Sequence, residues 1–100
     1  MITKITNNDM QAVLASDVAV IDFSAGWCGP CKMLHPVLEE LSEEMKEVAF
    51  YNADVDENMD LAVSMGVTNI PALFLYKKGE KTGNLVGYHQ KNDLKAWICS

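Results

Sequence analysis

The pattern of apolar and polar positions predicts strands that alternate with amphipathic helices. Short apolar or alternating runs bounded by turn residues are typical of strands, whereas apolar positions spaced three and four apart are typical of helices. Strand-like runs cover residues 2–5, 18–23, 48–54, 73–76 and 82–88. Helical patterns cover residues 10–14, 32–46, 57–65 and 93–98. This order, β-α-β-α-β-α-β-β-α, predicts an α/β fold with a mixed central sheet of about five strands and about four helices covering both faces.

The longest helical pattern, from Lys32 to about Lys46, carries one apolar stripe. Its members share helical spacing and are Met33, Leu34, Val37, Leu38, Leu41 and Met45. Pro36 falls inside this helix and cannot donate a hydrogen bond to the carbonyl of Lys32. We therefore expect the helix to bend near Pro36.

Length and charge narrow the classes of function. One hundred residues predict a single domain, residues 1–100. A net charge of −6 without a lysine or arginine cluster argues against nucleic-acid binding. No apolar run approaches the roughly 20 residues that span a bilayer, and the first residues do not resemble a signal peptide. We therefore expect a cytoplasmic, monomeric protein without membrane contact.

The chemistry of the chain centres on the segment Trp27–Cys31, which joins the strand at residues 18–23 to the longest helix. Residues three apart on a helix are neighbours, so Cys28 and Cys31 can form a disulfide with little backbone movement. A loop this short stabilises a fold by only about 2 kcal/mol when cross-linked. Such a bond is better suited to being made and broken than to holding the fold.

The start of a helix also changes thiol reactivity. Unpaired N–H groups and the positive end of the helix dipole stabilise a thiolate, which lowers its pKa below the free value of about 8.5. Cys28 comes first and is expected to be the more exposed nucleophile. Cys31, one turn deeper, is expected to be the protonated, resolving thiol. Pro30 suits a helix start because its missing N–H needs no partner there.

The segment Trp27–Cys31, following a strand that ends in Asp22 and Phe23, resembles the active site of the thioredoxin family. Thioredoxin is itself a standard example of a dithiol with a lowered pKa. Half of a zinc site and a structural disulfide are the alternatives. His35 would extend a zinc pattern, but no fourth ligand is evident, so we predict no metal. The flanking tryptophan, the Gly-Pro interior and the strand–helix junction favour redox chemistry.

The resemblance covers nearly the whole chain, from the first strand to Ile98. It implies the thioredoxin fold and a protein disulfide reductase that acts by dithiol–disulfide exchange through a Cys28–Cys31 redox disulfide. Trp27, Gly29 and Pro30 would shape the site. The family acts as an electron carrier in cell redox homeostasis and binds no cofactor. The implied partners are disulfide-bearing proteins and a separate NADPH-dependent thioredoxin reductase.

Asp22 is an acid in an otherwise apolar strand. Burial of an unpaired carboxylate is costly, so its pKa is expected to rise. Asp22 would accept the proton of Cys31, unless it only reaches water or a backbone amide at the strand end. Thioredoxins carry an acid at the matching place. Bacterial members often place a lysine opposite it, but this chain has Phe50 and Tyr51 in that strand, so we predict no ammonium partner for Asp22.

Two further segments match family loops around the dithiol. The resemblance implies a cis Ile70–Pro71 bond, whose neighbouring backbone groups would pair with an extended substrate. Ala72 stands where the family usually has threonine. Gly87 would let a substrate backbone approach, so Ile70, Pro71 and Gly87 are the predicted substrate contacts. The alternatives are an edge-strand stop at Pro71 and a β-bulge at Gly87.

Two other functions are also compatible with the sequence. One is an oxidase or isomerase of the same fold, although the Gly29-Pro30 interior resembles the reducing members. The other is a non-enzymatic partner subunit of a larger assembly. The third cysteine, Cys99, lies near the terminus and is expected to be an inert thiol.

Overall fold

The computed structural model describes residues 1–100. Its nine elements follow the predicted order. They are β1 (Ile2–Lys4), α1 (Gln11–Ala15), β2 (Val18–Ser24), α2 (Gly29–Glu44), β3 (Ala49–Asp54), α3 (Met59–Ser64), β4 (Ala72–Lys77), β5 (Glu80–Val86) and α4 (Lys91–Cys99).

The five strands form one mixed sheet in the order β1-β3-β2-β4-β5. Strand β3 pairs in parallel with both β1 and β2, whereas β2 pairs antiparallel with β4, and β4 with β5. The prediction of a mixed five-stranded sheet with four helices is confirmed. Because β2 is central and covered on both faces, its sequence is a continuous apolar run broken only by Asp22.

The sheet separates two apolar clusters. Ile21 and Phe23 of β2 belong to the cluster that includes residues of α1 and α3. Val20 belongs to the cluster that includes residues of α2 and α4. Successive side chains of a strand point to opposite faces, so Asp22 shares the face of Val20. Its carboxyl group therefore lies on the side of the helix that carries the two cysteines.

Helix α2 differs from the predicted helix in two respects. It begins at Gly29 and not Lys32, because Cys28 takes the N-cap position and Pro30 fits the first turn. Leu34, Leu38 and Leu41 are buried as expected, but Met33 is 63% exposed. Placing Met33 on the inward stripe was wrong, since a residue next to Leu34 is turned by about 100° around the helix.

Candidate active site

Cys28 occupies the N-cap of α2 with an extended backbone (φ −94°, ψ 112°). Its Sγ accepts a hydrogen bond from the backbone N–H of Cys31 at 3.2 Å. That N–H is one of the first-turn donors that have no partner within the helix. In the reduced protein this hydrogen bond and the helix dipole both favour a negative charge on the Cys28 sulfur. The local structure at Cys28 is therefore the one expected for a stabilised thiolate.

The structure joins Cys28 and Cys31 in a disulfide whose Cα atoms are 5.3 Å apart. Both residues are buried, with exposed fractions of 6% for Cys28 and 4% for Cys31. Cys28 is the more exposed of the two, in the predicted order, but the difference is only two percentage points in this oxidised form. The two residues pack with Ala25, and the partly buried Val55 and Ile70 lie against them. Exposure therefore hardly distinguishes the two sulfurs, whereas their positions at the helix start do.

The loop before β4 lies against the disulfide. The Ile70–Pro71 bond is cis, as the family resemblance implied, and the carbonyl oxygen of Ile70 lies 3.9 Å from Sγ of Cys28. The backbone N–H of Gly87 donates to the carbonyl of Pro71 at 2.8 Å. Pro71 is fully buried, so a bound peptide would meet the loop backbone and the half-buried Ile70. The structure thus places Ile70 beside Cys28, and Gly87 is linked to the same loop by its hydrogen bond to Pro71.

Gly87 has the backbone conformation that favours glycine, with φ +89°. A Cβ built at this position meets nothing within 4 Å, so the space above it is open. The alternative of a β-bulge does not apply here, because the irregular register between β4 and β5 lies at Leu75 and Tyr76.

Trp27 is 71% exposed, so its ring lies on the surface and not in the core. Its indole Nε1 donates to Oδ2 of Asp56 at 3.1 Å. The exposed ring is therefore held in place next to the disulfide by a residue in the turn after β3. Sequence reasoning did not identify Asp56, because 29 positions separate it from Trp27.

Asp22 is only 2% exposed. Burial raises the pKa of Asp22 to about 6, and a hydrogen bond from Asn52 opposes this rise. Asn52 Nδ2 donates to Oδ2 of Asp22 at 3.2 Å, while Oδ1 has no hydrogen-bond partner. None of the ion pairs in the structure includes Asp22, in agreement with the predicted lack of an ammonium partner. Asn52 was not predicted from the sequence as a partner of Asp22. Its position two residues after Phe50 places it on the same face of the strand as Phe50.

A groove of about 180 Å³ connects the acid and the second cysteine. Asp22, Asn52 and Cys31 line it together with Ser24, Ala25, Gly26, Lys32, His35 and Asp54. A single water molecule needs only about 10–15 Å³ of cavity volume, so the groove has room for water beside the residues that line it. His35 lies 3.6 Å from Glu39 on the next turn of α2. No cluster of three or more histidine, cysteine or acidic side chains that could hold a metal is present.

This geometry identifies the class of the protein. The Cα atoms of Cys28 and Cys31 are close enough for their disulfide to form and break with little backbone movement, and the first turn of α2 favours the Cys28 thiolate. The fold and site thus define a thiol–disulfide oxidoreductase.

Comparison with known proteins gives the family. The thioredoxin family model matches residues 1–100, and the chain belongs to the thioredoxin family. It is 41% identical to a thioredoxin of Rickettsia felis over 101 aligned positions, which cover 98% of this chain and 96% of the relative. It is 43% identical to a thioredoxin of Staphylococcus epidermidis over 94 positions, which cover 93% and 90%.

Solved structures agree with this assignment. Oxidised mitochondrial thioredoxin 3 from Saccharomyces cerevisiae superposes with a TM-score of 0.89 at 38% identity, covering 98% of this chain and 93% of the yeast chain. A mutant thioredoxin from Halobacterium salinarum gives a TM-score of 0.90 at 39% identity, with 96% of this chain and 86% of that chain covered. No helix of the structure combines the length and apolar character required to cross a membrane.

Proposed function

We propose that the chain is a monomeric, cytoplasmic protein disulfide reductase that works as one domain, residues 1–100. It would bind no cofactor and would receive its electrons from a separate NADPH-dependent thioredoxin reductase. The observation that carries this proposal is the position of Cys28 Sγ at the N-cap of α2, where it accepts the N–H of Cys31 at 3.2 Å.

In the first step, the thiolate of Cys28 attacks one sulfur of a substrate disulfide. A Cys28–substrate disulfide bond forms, the substrate S–S bond breaks, and the electron pair leaves on the second substrate sulfur. The N–H of Cys31 and the helix dipole stabilise the attacking thiolate beforehand. Cys28 is therefore the nucleophile in this proposal.

In the second step, Cys31 resolves the mixed disulfide. Asp22 accepts the thiol proton of Cys31 within the groove that both residues line, and the resulting thiolate attacks Cys28 Sγ. The Cys28–Cys31 bond forms, the bond to the substrate breaks, and the substrate leaves as a second thiolate. Two electrons have passed to the substrate, and a reductase must return two electrons to Cys28 and Cys31.

Substrate would bind as an extended peptide across the loop before β4. The backbone beside the Ile70–Pro71 bond supplies hydrogen-bonding groups, and Gly87 leaves the space above it open. The exposed Trp27 ring adds a flat apolar contact. Recognition of backbone and apolar surface fits a protein that acts on many different disulfides.

The experiment that tests this proposal is dithiothreitol-coupled reduction of insulin, with Cys28→Ser as the matched control. The proposal predicts rapid reduction by the wild-type chain and only the dithiothreitol background with Cys28→Ser. A wild-type rate at background would contradict it.

Equilibration with a glutathione buffer separates a reductase from an oxidase or isomerase of the same fold. Thioredoxins have potentials of about −270 mV, whereas oxidising members lie at about −120 to −180 mV. We expect the Cys28–Cys31 couple to have a potential of about −270 mV. A potential of about −120 to −180 mV would overturn the reductase assignment.

A further inference from the structure

The two proposed reaction steps use Cys28, Cys31 and Asp22 but not the side chain of Asn52. This half-buried residue of β3 lies directly opposite Asp22 in the parallel pairing with β2. Its Nδ2 donates to three oxygens: Ser24 Oγ at 2.8 Å, Asp22 Oδ2 at 3.2 Å and the Asp22 carbonyl at 3.3 Å. A carbonyl and a carboxylate only accept hydrogen bonds, so the nitrogen of Asn52, and not its oxygen, must face Asp22.

Building on the proposed role of Asp22 as proton acceptor, we propose that Asn52, anchored by Ser24, is a positioning residue for the resolving step: it engages Oδ2 of Asp22, so that Oδ1 receives the proton of Cys31. The geometry distinguishes the two carboxylate oxygens. Oδ2 is held by Asn52, whereas Oδ1 is buried and has no partner. Asp22 and Cys31 line the same groove, and of the two carboxylate oxygens only Oδ1 has no hydrogen bond that a proton would have to displace.

Asn52 also influences the charge of Asp22. An N–H donor favours the ionised carboxylate and opposes the rise in pKa that burial causes. The other ionisable groups on the groove are Cys31, Lys32 and His35 of α2 and Asp54 of β3. From β4, the residue paired with Asp22 is the apolar Leu73, so no charge faces it from that side. Asn52 is therefore the only side chain hydrogen-bonded to the carboxylate, and it keeps Asp22 ionisable near neutral pH.

Ser24 acts through Asn52. Its hydroxyl accepts the shortest of the three hydrogen bonds from Asn52 Nδ2 and has no hydrogen bond to the carboxylate itself. Loss of this anchor lets the amide turn away from Oδ2. A Ser24→Ala change is thus expected to move the titration of Asp22 in the same direction as loss of Asn52, but less.

The test is a carbon-13 NMR titration of the Asp22 carboxyl group in the oxidised full chain. Asn52→Leu removes the donor at similar volume and should move the Asp22 titration up by about one pH unit. Asn52→Asp keeps the shape but replaces the donor with a second carboxylate, so the higher of the two titrations of the resulting carboxylate pair should rise further. Asn84→Leu, at an exposed position on β5, is the control and should change nothing.

The kinetic readout is the release of reduced substrate from a preformed mixed disulfide on Cys28, followed against pH. We expect the pH profile of release in Asn52→Leu to move with the Asp22 titration, while the rate of the first attack by Cys28 stays within about two-fold of wild type. A folded Asn52→Leu or Asn52→Asp protein with an unmoved Asp22 titration would overturn the inference.

Asp22→Asn separates this inference from the proposal on which it rests. If Asp22→Asn releases substrate with the wild-type rate and pH profile, the proton-acceptor role of Asp22 is wrong and the inference falls with it. If Asp22→Asn slows release but Asn52→Leu leaves the pH profile of release unmoved, only the role of Asn52 is wrong. If Asp22→Asn slows release and Asn52→Leu moves the pH profile while Asn84→Leu does not, both are supported.

Discussion

The backbone N–H of Cys31 donates a 3.2 Å hydrogen bond to Sγ of Cys28. One cysteine therefore helps to ionise the other before any chemistry occurs between their sulfurs. The hydrogen bond exists because the two residues are separated by one helical turn and Cys28 takes the N-cap position. The two redox cysteines thus themselves form the first turn of α2 and its N-cap.

The order of attack predicts which cysteine variant traps substrate. Cys31→Ser keeps the nucleophile but removes the resolving thiol, so a covalent complex with a disulfide-bearing protein should accumulate. Mass spectrometry under non-reducing conditions would detect it. Cys28→Ser is the control and should form no complex. A complex with Cys28→Ser but not with Cys31→Ser would reverse the two roles.

Asp22→Asn should stabilise the oxidised protein at neutral pH. The folded pKa of about 6 exceeds the ordinary value of 3.8, so the folded state binds the proton more tightly than the unfolded chain. The stability that Asp22 contributes is full below about pH 4 and is lost as pH rises through 6. A shift of about two units corresponds to about 3 kcal/mol. Denaturant unfolding should therefore show Asp22→Asn more stable by about that amount at pH 7, with the difference vanishing near pH 3.

Asp17→Asn provides the control for this pH dependence. Asp17 is exposed and belongs to no ion pair, so its variant should lie within about 0.5 kcal/mol of wild type throughout. A stability gain in Asp22→Asn that is equal at pH 3 and pH 7 would contradict the raised pKa of Asp22.

Introducing a lysine on the neighbouring strand should lower the pKa of Asp22. Phe50 pairs with Val20, so it shares the sheet face of Asp22 and is its diagonal neighbour. An ammonium group there favours the carboxylate, and Phe50→Lys should move the Asp22 titration down by about one unit. Tyr51→Lys places the same charge on the opposite face and is the matched control. An equal shift in both variants, or none in Phe50→Lys, would contradict the account.

A side chain at position 87 should weaken substrate binding. Gly87→Ala adds a methyl group in the open space beside the loop before β4, where a peptide backbone would approach. A cost of about 1 kcal/mol in binding is roughly a five-fold rise in KM, with kcat unchanged. Gly66→Ala is the control, because Gly66 also has positive φ (+72°) and open space but lies outside the site. Equal KM values for the two variants would remove Gly87 from the substrate surface.

The sequence predicts the order of elements because each strand and helix has its own hydrophobic period. It also predicts the cysteine pair, because three residues of separation at a helix start leave little freedom. Contacts between distant segments are harder to predict. Asn52 contacts Asp22 because β2 pairs with β3. Asp56 contacts Trp27 because the turn after β3 brings it there.

The exposed fraction of individual side chains also could not be predicted from the sequence. Cys28 comes first in the motif and opens the helix, which suggested that its sulfur is more exposed than that of Cys31. In the folded chain Ile70 packs against it from a segment 42 residues away. Met33 shows the opposite error. It is apolar and was predicted to be buried, but its position on the helix turns its side chain to solvent. Burial depends on the partner surface, which a local pattern does not contain.

The most direct measurement is the pKa of the Cys28 thiol in the reduced protein, followed by thiolate absorbance in wild type and in Cys31→Ser. A helix start that stabilises the thiolate predicts a pKa clearly below the free value of about 8.5 in both proteins, since the N–H of residue 31 belongs to the backbone. A pKa at or above about 8.5 would contradict the central claim that the start of α2 activates this sulfur.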